Sequence, residues 1–328
     1  MILPKLAASY SSILDSTIAE NGSKALANVG GIMGTGGSKA DIQQCTVVDN
    51  LGYGIGSVRT DSLRLGGVVI GRNRLEDGTT ASLFGSGITS NGYNLCDDAP
   101  AALSKTRDVL SRDPLVTRIG YHGGKILSCY PLQGSPAING GNAWVVNTTA
   151  NRPDTRGFAR MVSNILGQRA NIIDIGAVEV NTENTFTVRS ASNEGAGTFK
   201  AAIEGQGPSH RRIVFDPSMS GKTIDVLTGN LVRGDWHVEI DGTNLAEPVT
   251  LASSVGERVL VVQDQAGISA NGIIFSGIAR ASSGTYGGLS FEKGTSLGMS
   301  RCQLGPNSNR ILLLNGLRRV HLNVVYVF

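Results

Sequence analysis

A short apolar run that ends in asparagine recurs in the first quarter of the chain. The copies are Ser16–Asn21, Cys45–Asn50 and, more loosely, Val68–Asn73, so that successive asparagines lie 29 and 23 residues apart. Glycine-rich runs separate the copies, and each of these runs holds a short apolar stretch between turn formers. The pattern predicts short β-strands joined by tight corners, repeated along the chain.

A single repeat is too small to enclose a hydrophobic core. Several repeats can enclose one if the chain coils, so that each strand stacks on the equivalent strand of the previous repeat at the ~4.8 Å strand spacing. We therefore predict a right-handed parallel β-helix, in which Ile18, Val47 and Ile70 point inward from one stacked sheet. Asn21 and Asn50 would lie at equivalent corners, where stacked amides bond to neighbouring turns and asparagine tolerates left-handed backbone. We interpret this ladder as structural, with ligand binding as the alternative.

The second half of the chain, from about Asn184, again contains short apolar runs separated by turn-forming residues, although the residues themselves differ. One helix is predicted at Gly197–Glu204, because Phe199, Ala202 and Ile203 share a face at helical spacing. Such a helix suits the cap of a solenoid, which covers the open edge of the first turn. Strand-like runs separated by Gly, Asn, Asp and Ser lie at 213–215, 223–226, 238–241, 249–251, 259–262, 272–275, 289–291 and 311–314.

Composition narrows the class of protein further. Glycine makes up 44 of the 328 residues, aromatic residues 5% and charged residues 17%. A helical bundle is disfavoured, because each glycine in a helix interior costs roughly 1 kcal/mol. The net charge of +3 is spread evenly, and the longest basic clusters are the pairs Arg211–Arg212 and Arg318–Arg319. A nucleic-acid-binding surface would need a basic stripe, so we expect no nucleic-acid partner.

Residue types that bind metals or cofactors are scattered. The cysteines and histidines form no pair at metal-ligand spacing, so we expect buried thiols, isolated histidines, and no cofactor or metal. No stretch is long and apolar enough to span a bilayer. The residues concerned are Cys45, Cys96, Cys129, Cys302, His122, His210, His237 and His321.

Five motifs in the middle of the chain carry a family resemblance. They lie in order at 91–95, 113–115, 134–142, 154–160 and 174–179. Together they resemble the C-terminal end of bacterial right-handed parallel β-helix surface proteins of the choice-of-anchor Q type, which have a pectin-lyase-like fold. Residues 186–217 are similar to the N-terminal start of a further β-helix in large surface proteins.

The resemblance implies three parts: the last turns of a first β-helix at 1–95, a closing or connector region at 96–183, and the cap and first turns of a second β-helix at 184–328. Two partial solenoids joined by a compact connector are therefore expected. The family usually has Asp in place of Asn139 and Gln in place of Thr155, which argues against a charged site in the connector.

The connector nevertheless holds several charged residues within its motifs. Arginine forks bind carboxylates bidentately, so we interpret these residues as a structural network that fixes an irregular segment. Catalysis is the alternative, because active sites also cluster charged groups. The residues are Asp154, Arg156, Arg160, Asp174 and Glu179.

An enzyme acting on acidic polysaccharides is the alternative function. A lyase of this fold would need carboxylates that hold Ca²⁺, with an Arg or Lys as base. Asp225, Glu239 and Asp241 could face outward on adjacent turns, but no paired-carboxylate or Asp-His motif accompanies them. Trp236 and Tyr286 could stack on sugar rings if exposed, whereas inward packing would make them core residues.

We therefore predict a non-catalytic, adhesin-like or stalk-like β-solenoid that binds a polysaccharide or a cell-surface glycan. The alternative is a polysaccharide lyase or glycoside hydrolase. An extracellular or cell-surface location is expected, although the first residues lack an export signal. We also expect a fragment of a longer protein that self-associates through exposed solenoid ends, because the repeat begins early and residues 324–328 form an apolar run.

Overall fold

The protein, seen in a computed structural model, forms two compact units. One comprises residues 1–119 and 126–180, and the other comprises residues 120–125 and 181–328. The structure describes residues 2–3, 10–22, 28–37, 39–58, 62–120, 122, 126–143, 152–158, 160, 172–180, 185–204, 210–227, 230–234, 236–255, 258–276, 288–305, 312–323 and 325–327.

The first unit contains three parallel sheets, and each successive turn of the chain adds one strand to each sheet. The first sheet contains β1 (Ile2–Leu3), β4 (Val29–Gly34), β7 (Tyr53–Ser57) and β10 (Leu83–Gly85). The second contains β2 (Tyr10–Leu14), β5 (Lys39–Gln43), β8 (Ser62–Gly66) and β11 (Ile88–Gly92). The third contains β3 (Thr17–Ala19), β6 (Thr46–Val48), β9 (Val69–Gly71) and β12 (Leu95–Cys96). A separate antiparallel pair joins β13 (Gly141–Asn142) to β14 (Ile172–Ile173).

The predicted stack of Ile18, Val47 and Ile70 is confirmed. Ile18 pairs in register with Val47, and Val47 pairs with Ile70, on the parallel strands β3, β6 and β9. Val47 and Ile70 are fully buried, and Ile18 packs against the same core. The repeated spacing of apolar residues therefore sets the register of the third sheet.

The prediction that asparagine takes up the left-handed backbone at the corner is wrong. The residue before each asparagine does so instead: Glu20, Asp49 and Arg72 have φ of 57°, 58° and 54°. The asparagine side chains instead bond between turns. The left-handed backbone conformation is thus adopted by charged residues, in which the Cβ atom makes this conformation unfavourable.

The second unit also contains three parallel sheets. The first contains β15 (Thr185–Val188), β16 (His210–Phe215), β19 (His237–Asp241), β22 (Gly267–Asn271), β25 (Ser296–Ser300) and β28 (Arg319–Asn323). The second contains β17 (Thr223–Asp225), β20 (Val249–Ala252), β23 (Ile273–Ser276), β26 (Gln303–Leu304) and β29 (Tyr326–Val327). The third contains β18 (Asn230–Val232), β21 (Arg258–Val262), β24 (Gly288–Phe291) and β27 (Leu312–Leu314). Each of the eight strand-like runs in the sequence overlaps one of these strands, and residue 311 of the last run lies outside the described residues.

The predicted helix is present as α1, Phe199–Glu204, and its buried residues are Phe199, Ala202 and Ile203 as expected. Thr198 begins the helix, since its hydroxyl accepts the N–H of Ala201 at 3.2 Å. The helix packs against β15, β16 and β18. A 3-10 turn follows at Pro217–Met219.

The parallel sheets stack as a β-solenoid of about nine turns in total, which confirms the predicted fold class. The division at 1–95, 96–183 and 184–328 stays a prediction. None of the helices formed by the described residues has the length and apolar character that a membrane crossing requires.

Candidate functional site

One corner of the first unit carries a ladder of three asparagines. Asn50 Oδ1 accepts the backbone N–H and the side-chain amide of Asn21, each at 3.0 Å. Asn73 Oδ1 in turn accepts the backbone N–H and the side-chain amide of Asn50 at 3.1 and 2.8 Å. Gly54 is required beside the ladder, because a Cβ there would lie 2.6 Å from Asn73 Nδ2. The ladder ties three successive turns together at one corner.

Arg72, which precedes the last asparagine of the ladder, is held by Asp49 of the previous turn. Its Nε and Nη2 donate to the two oxygens of Asp49 at 2.9 and 2.6 Å. Nη1 and Nη2 also donate to the carbonyls of Val116 and Thr117. Burial alone would lower the pKa of Arg72, but the hydrogen bonds and charge of Asp49 outweigh burial and raise it. Arg72 is therefore a fixed, charged part of the corner.

Arg74 and Arg118 lie beside this pair and are held more loosely. Arg118 Nη1 lies 3.2 Å from Asp49 Oδ1, and Arg74 Nη1 lies 3.4 Å from Asp97 Oδ2. The Arg74 and Arg118 side chains are 41% and 46% exposed, whereas Asp49 is 2% exposed. The two guanidinium groups are thus available to solvent while their carboxylate partners are covered.

These residues surround an open cavity of about 400 Å³, which we call the arginine pocket. Three arginines and Asp49 line the pocket, and Asp97 pairs with Arg74 beside it, so positive charges still outnumber negative ones among these groups. Leu51, which is 42% exposed, adds an apolar surface beside the guanidinium groups. The complete lining is Asp49, Asn50, Leu51, Arg72, Arg74 and Arg118.

The arginine pocket was not predicted from the sequence, although the repeats contain a signal for it. When the three repeats are aligned on their asparagines, the preceding residues are Glu20, Asp49 and Arg72. The residues that follow the asparagines are Gly22, Leu51 and Arg74. Leu51 and Arg74 pair in register on neighbouring turns. The third repeat alone has arginine on both sides of its asparagine. Arg118 has no such signal, because it reaches the corner from outside the repeats.

The charged connector residues also meet in the first unit. Arg156 Nε and Nη2 donate to Asp154 Oδ2 at 2.9 and 2.8 Å, and Nη2 donates to the carbonyl of Glu179 at 2.6 Å. The guanidinium lies 5.1 and 4.9 Å from the ring centroids of Tyr130 and Phe158. A cation placed in this way is both paired and packed against aromatic faces.

Arg160 extends this cluster to Asp15, which lies 2.9 Å from its Nη2, and to Glu179, which lies 3.7 Å from its Nη1. Asp174 accepts two backbone N–H groups, and its own N–H donates to Glu179 Oε2 at 2.9 Å. Burial raises the pKa of Asp174 to about 6. Burial and the nearby charge of Asp174 also raise the pKa of Glu179 well above its ordinary value.

We call these six residues the buried ion network: Asp15, Asp154, Arg156, Arg160, Asp174 and Glu179. The side chains of Arg156 and Arg160 are 1% and 0% exposed. We keep the structural interpretation as our proposal for this network, because a substrate could not reach groups so completely covered.

The acidic residues of the second unit are arranged differently from the sequence expectation. Asp225 lies on β17, and Glu239 and Asp241 lie on β19 of the next turn, so the three occupy adjacent turns as expected but belong to two different sheets. Arg212 Nη2 donates to Asp241 Oδ2 at 2.7 Å. His122 Nδ1 lies 3.2 Å from Glu239 Oε1. Both β19 carboxylates are 0% exposed.

Two histidines expected to be isolated have partners. His122 contacts Glu239, although 117 residues separate the two in the chain. His237 Nε2 lies 3.0 Å from Ser269 Oγ on the neighbouring strand. The sequence held no signal for the first contact, because His122 lies outside the repeated strands.

Trp236 and Tyr286 were the candidate sugar contacts. Trp236 is partly buried against the core of the second unit, and the guanidinium of Arg211 lies 4.2 Å from its ring centroid. One face of the indole is therefore occupied by a buried arginine. Tyr286 lies outside the described residues.

The cysteines are buried free thiols. Burial raises the pKa of Cys45 to about 12 and that of Cys302 to about 11, and it raises the pKa of Cys96 and Cys129 as well. Within the described residues, one group has three potential metal-donor atoms close together: Cys96, Asp97 and Asp98. Asp97 already accepts hydrogen bonds from Arg72 and Ser82, so this group suits a metal ion poorly.

Comparisons with family models, curated proteins and solved structures found no match to this chain. The resemblance to choice-of-anchor Q proteins therefore gains no support from these comparisons. The protein is classified by its fold alone, as a parallel β-solenoid.

Proposed function

We propose that this chain is a non-catalytic β-solenoid of an extracellular or cell-surface protein, and that it binds carbohydrate in the arginine pocket. The observation that carries the proposal is an open cavity of about 400 Å³ lined by hydrogen-bond donors whose carboxylate partners are covered. Ligand sites in proteins combine such a concave surface with a few oriented polar groups.

The corner beneath the pocket is rigid. The asparagine ladder bonds three turns to one another, and Arg72 is fixed by four hydrogen bonds to Asp49, Val116 and Thr117. A site on a fixed scaffold loses little conformational entropy when the ligand binds. The solenoid therefore supplies a preorganised platform for the two half-exposed arginines, Arg74 and Arg118.

The lining also has the mixed character that sugars require. Arg74 and Arg118 offer N–H donors to hydroxyl or acid groups, and Leu51 offers an apolar surface to the C–H face of a ring. The residues that line the pocket include no aromatic side chain on which a sugar ring could stack. We therefore expect hydrogen bonds to supply most of the affinity.

A polysaccharide lyase or hydrolase remains the second candidate, since one observation favours it. Glu239 and Asp241 project from the same side of β19, and Arg212 lies on the neighbouring strand β16. Two carboxylates and a cation on adjacent turns are the groups that such an enzyme requires. Their burial and their pairing with His122 and Arg212 favour a structural role instead.

Binding is tested by titration calorimetry of the full chain against a panel of neutral and acidic polysaccharides. We expect saturable binding to at least one polymer, and its loss in the double variant Arg74→Ala/Arg118→Ala. Arg64→Ala is the matched control, because Arg64 is also 46% exposed and pairs with Asp41 at 2.7 Å outside the pocket. Binding to none of the polymers, or binding that the double variant retains, would contradict the proposal.

The enzyme alternative is tested by incubating the protein with pectate and alginate in the presence of Ca²⁺. We expect no release of unsaturated products that absorb ultraviolet light. Product release by the wild type that is lost in Asp241→Ala and retained in Asp225→Ala would replace the binding proposal with catalysis at β19.

A further inference from the structure

The charge balance of the arginine pocket identifies the chemical class of its ligand. We infer that the arginine pocket binds an acidic glycan, a uronate or sulfated sugar whose anionic group is held between Arg74 and Arg118. This inference rests on the proposed function and adds the requirement for a negative charge.

Arg74 and Arg118 both have guanidinium N–H donors left for a ligand. A guanidinium carries five N–H groups. Arg118 has one ion-pair contact, to Asp49, and Arg74 uses Nη1 for the carbonyl of Asn73 and for Asp97. Within the part of the chain that the structure describes, the other guanidinium nitrogens of these two residues make no hydrogen bond or ion pair. Both can therefore bind an anion bidentately.

Both arginines can turn to a ligand without leaving their carboxylate partners unpaired. Asp49 keeps its two hydrogen bonds from Arg72 when Arg118 moves away. Asp97 keeps the backbone N–H of Arg72 at 2.7 Å and the hydroxyl of Ser82 at 3.1 Å when Arg74 moves away. The exchange therefore avoids the cost of an unpaired buried charge, which normally opposes the opening of an ion pair.

Neutral ligands fit the pocket less well than anionic ones. A neutral sugar would compete with water for the two guanidinium groups and would leave the excess positive charge of the pocket unbalanced. A carboxylate or sulfate balances that charge and forms charge-assisted hydrogen bonds, which are roughly twice as strong as neutral ones.

The experiment compares polymers that differ in charge and share a backbone. Polygalacturonate is compared with its fully methyl-esterified form, and dextran sulfate is compared with dextran, by titration calorimetry on the full chain. We expect at least one acidic polymer to bind at least about tenfold more tightly than its neutral counterpart, and binding to weaken as salt is added. The two pairs also distinguish carboxylate from sulfate as the preferred group.

Charge-preserving and charge-removing variants complete the test. Arg74→Gln/Arg118→Gln keeps side-chain donors but removes both charges, and we expect it to lose affinity about tenfold or more. Arg74→Lys/Arg118→Lys should retain more affinity than the glutamine variant, and Arg64→Gln should match the wild type.

The outcomes separate the two claims. Equal binding of acidic and neutral polymers that still depends on Arg74 and Arg118 would overturn this inference and leave the proposed function standing. Tight binding of an acidic polymer that is unchanged in the glutamine variant, or binding of no polymer at all, would overturn both.

Discussion

The buried ion network and the arginine pocket use the same residue types within one unit, but they differ in exposure. In the network, the guanidinium groups of Arg156 and Arg160 are covered, and each bonds to carboxylates that are also covered. In the pocket, Asp49 is covered, whereas Arg74 and Arg118 are nearly half exposed. The buried arginine–carboxylate pairs of the network stabilise the fold. The half-exposed arginines of the pocket have N–H donors left for a ligand.

Distance alone does not separate structural from functional ion pairs. Arg118 lies 3.2 Å from Asp49, closer than Arg160 Nη1 lies to Glu179. What separates the two clusters is whether water, and hence a ligand, reaches the cation. Exposed pairs contribute little to stability, so the fold can dispense with them.

The largest effect is expected from breaking the buried ion network. Arg156→Ala would leave Asp154 charged and buried, and we expect a loss of about 3–5 kcal/mol in the free energy of unfolding. Urea denaturation followed by circular dichroism measures the loss. A decrease below about 1 kcal/mol would show that Arg156 contributes no more to stability than an exposed arginine does, and the buried ion network and the arginine pocket would then not differ in this respect.

A smaller loss is expected from breaking the asparagine ladder in the middle. Asn50→Ala removes hydrogen bonds to both neighbouring turns and leaves buried partners unpaired, so we expect a loss of about 2–3 kcal/mol. Asn21→Ala is the matched control, because Asn21 is exposed and bonds to one neighbouring turn. Equal losses in the two variants would show that the ladder is not what holds the corner.

The buried ion network should also make stability depend on pH. Burial raises the pKa of Asp174 to about 6, so the folded state binds the proton more tightly than the unfolded state does. This contribution to stability is fully present below the unfolded pKa and is lost as pH rises through about 6.

Asp174→Asn, which cannot titrate, provides the reference. We expect the stability of the wild type relative to this variant to fall by on the order of 1–2 kcal/mol between pH 4 and pH 7. Denaturation midpoints measured across this range test the sign. A difference that stays constant or grows with pH would show that Asp174 ionises in the folded state as readily as in the unfolded chain.

The smallest effect is expected from the arginine pocket. Arg74→Ala/Arg118→Ala should change the free energy of unfolding by less than about 1 kcal/mol, because both side chains are half exposed and their carboxylates keep other donors. Thermal unfolding of the double variant beside Arg64→Ala measures this difference. A loss comparable to that of Arg156→Ala would assign the pocket arginines to the fold.

Much of the fold was predictable from the sequence. Ile18, Val47 and Ile70 recur at one position of the repeat, and stacking in register is the arrangement that buries all three. The helix at Phe199–Glu204 was predictable for the same reason, since three apolar residues share one face. The left-handed corner residue was not, because Glu20, Asp49 and Arg72 have no common preference for that backbone.

The candidate site was predictable only in part. Asn21 and Asn50 marked the corner, but the chemistry at that corner depends on residues beside the repeated position. Arg72 and Arg74 could be placed there by aligning the repeats, whereas Arg118 and the contact of His122 with Glu239 depend on irregular segments. Such contacts follow from the path of the chain between strands, which residue periodicity does not encode.

On the proposal made above, the half-exposed arginines of the ladder corner hold an anionic sugar. A crystal structure of the full chain soaked with a short oligogalacturonate tests it most directly. We predict a carboxylate within hydrogen-bonding distance of both Arg74 and Arg118, with the Arg72–Asp49 pair unchanged. A sugar bound at Trp236 or against β19, with the arginine pocket empty, would contradict the account.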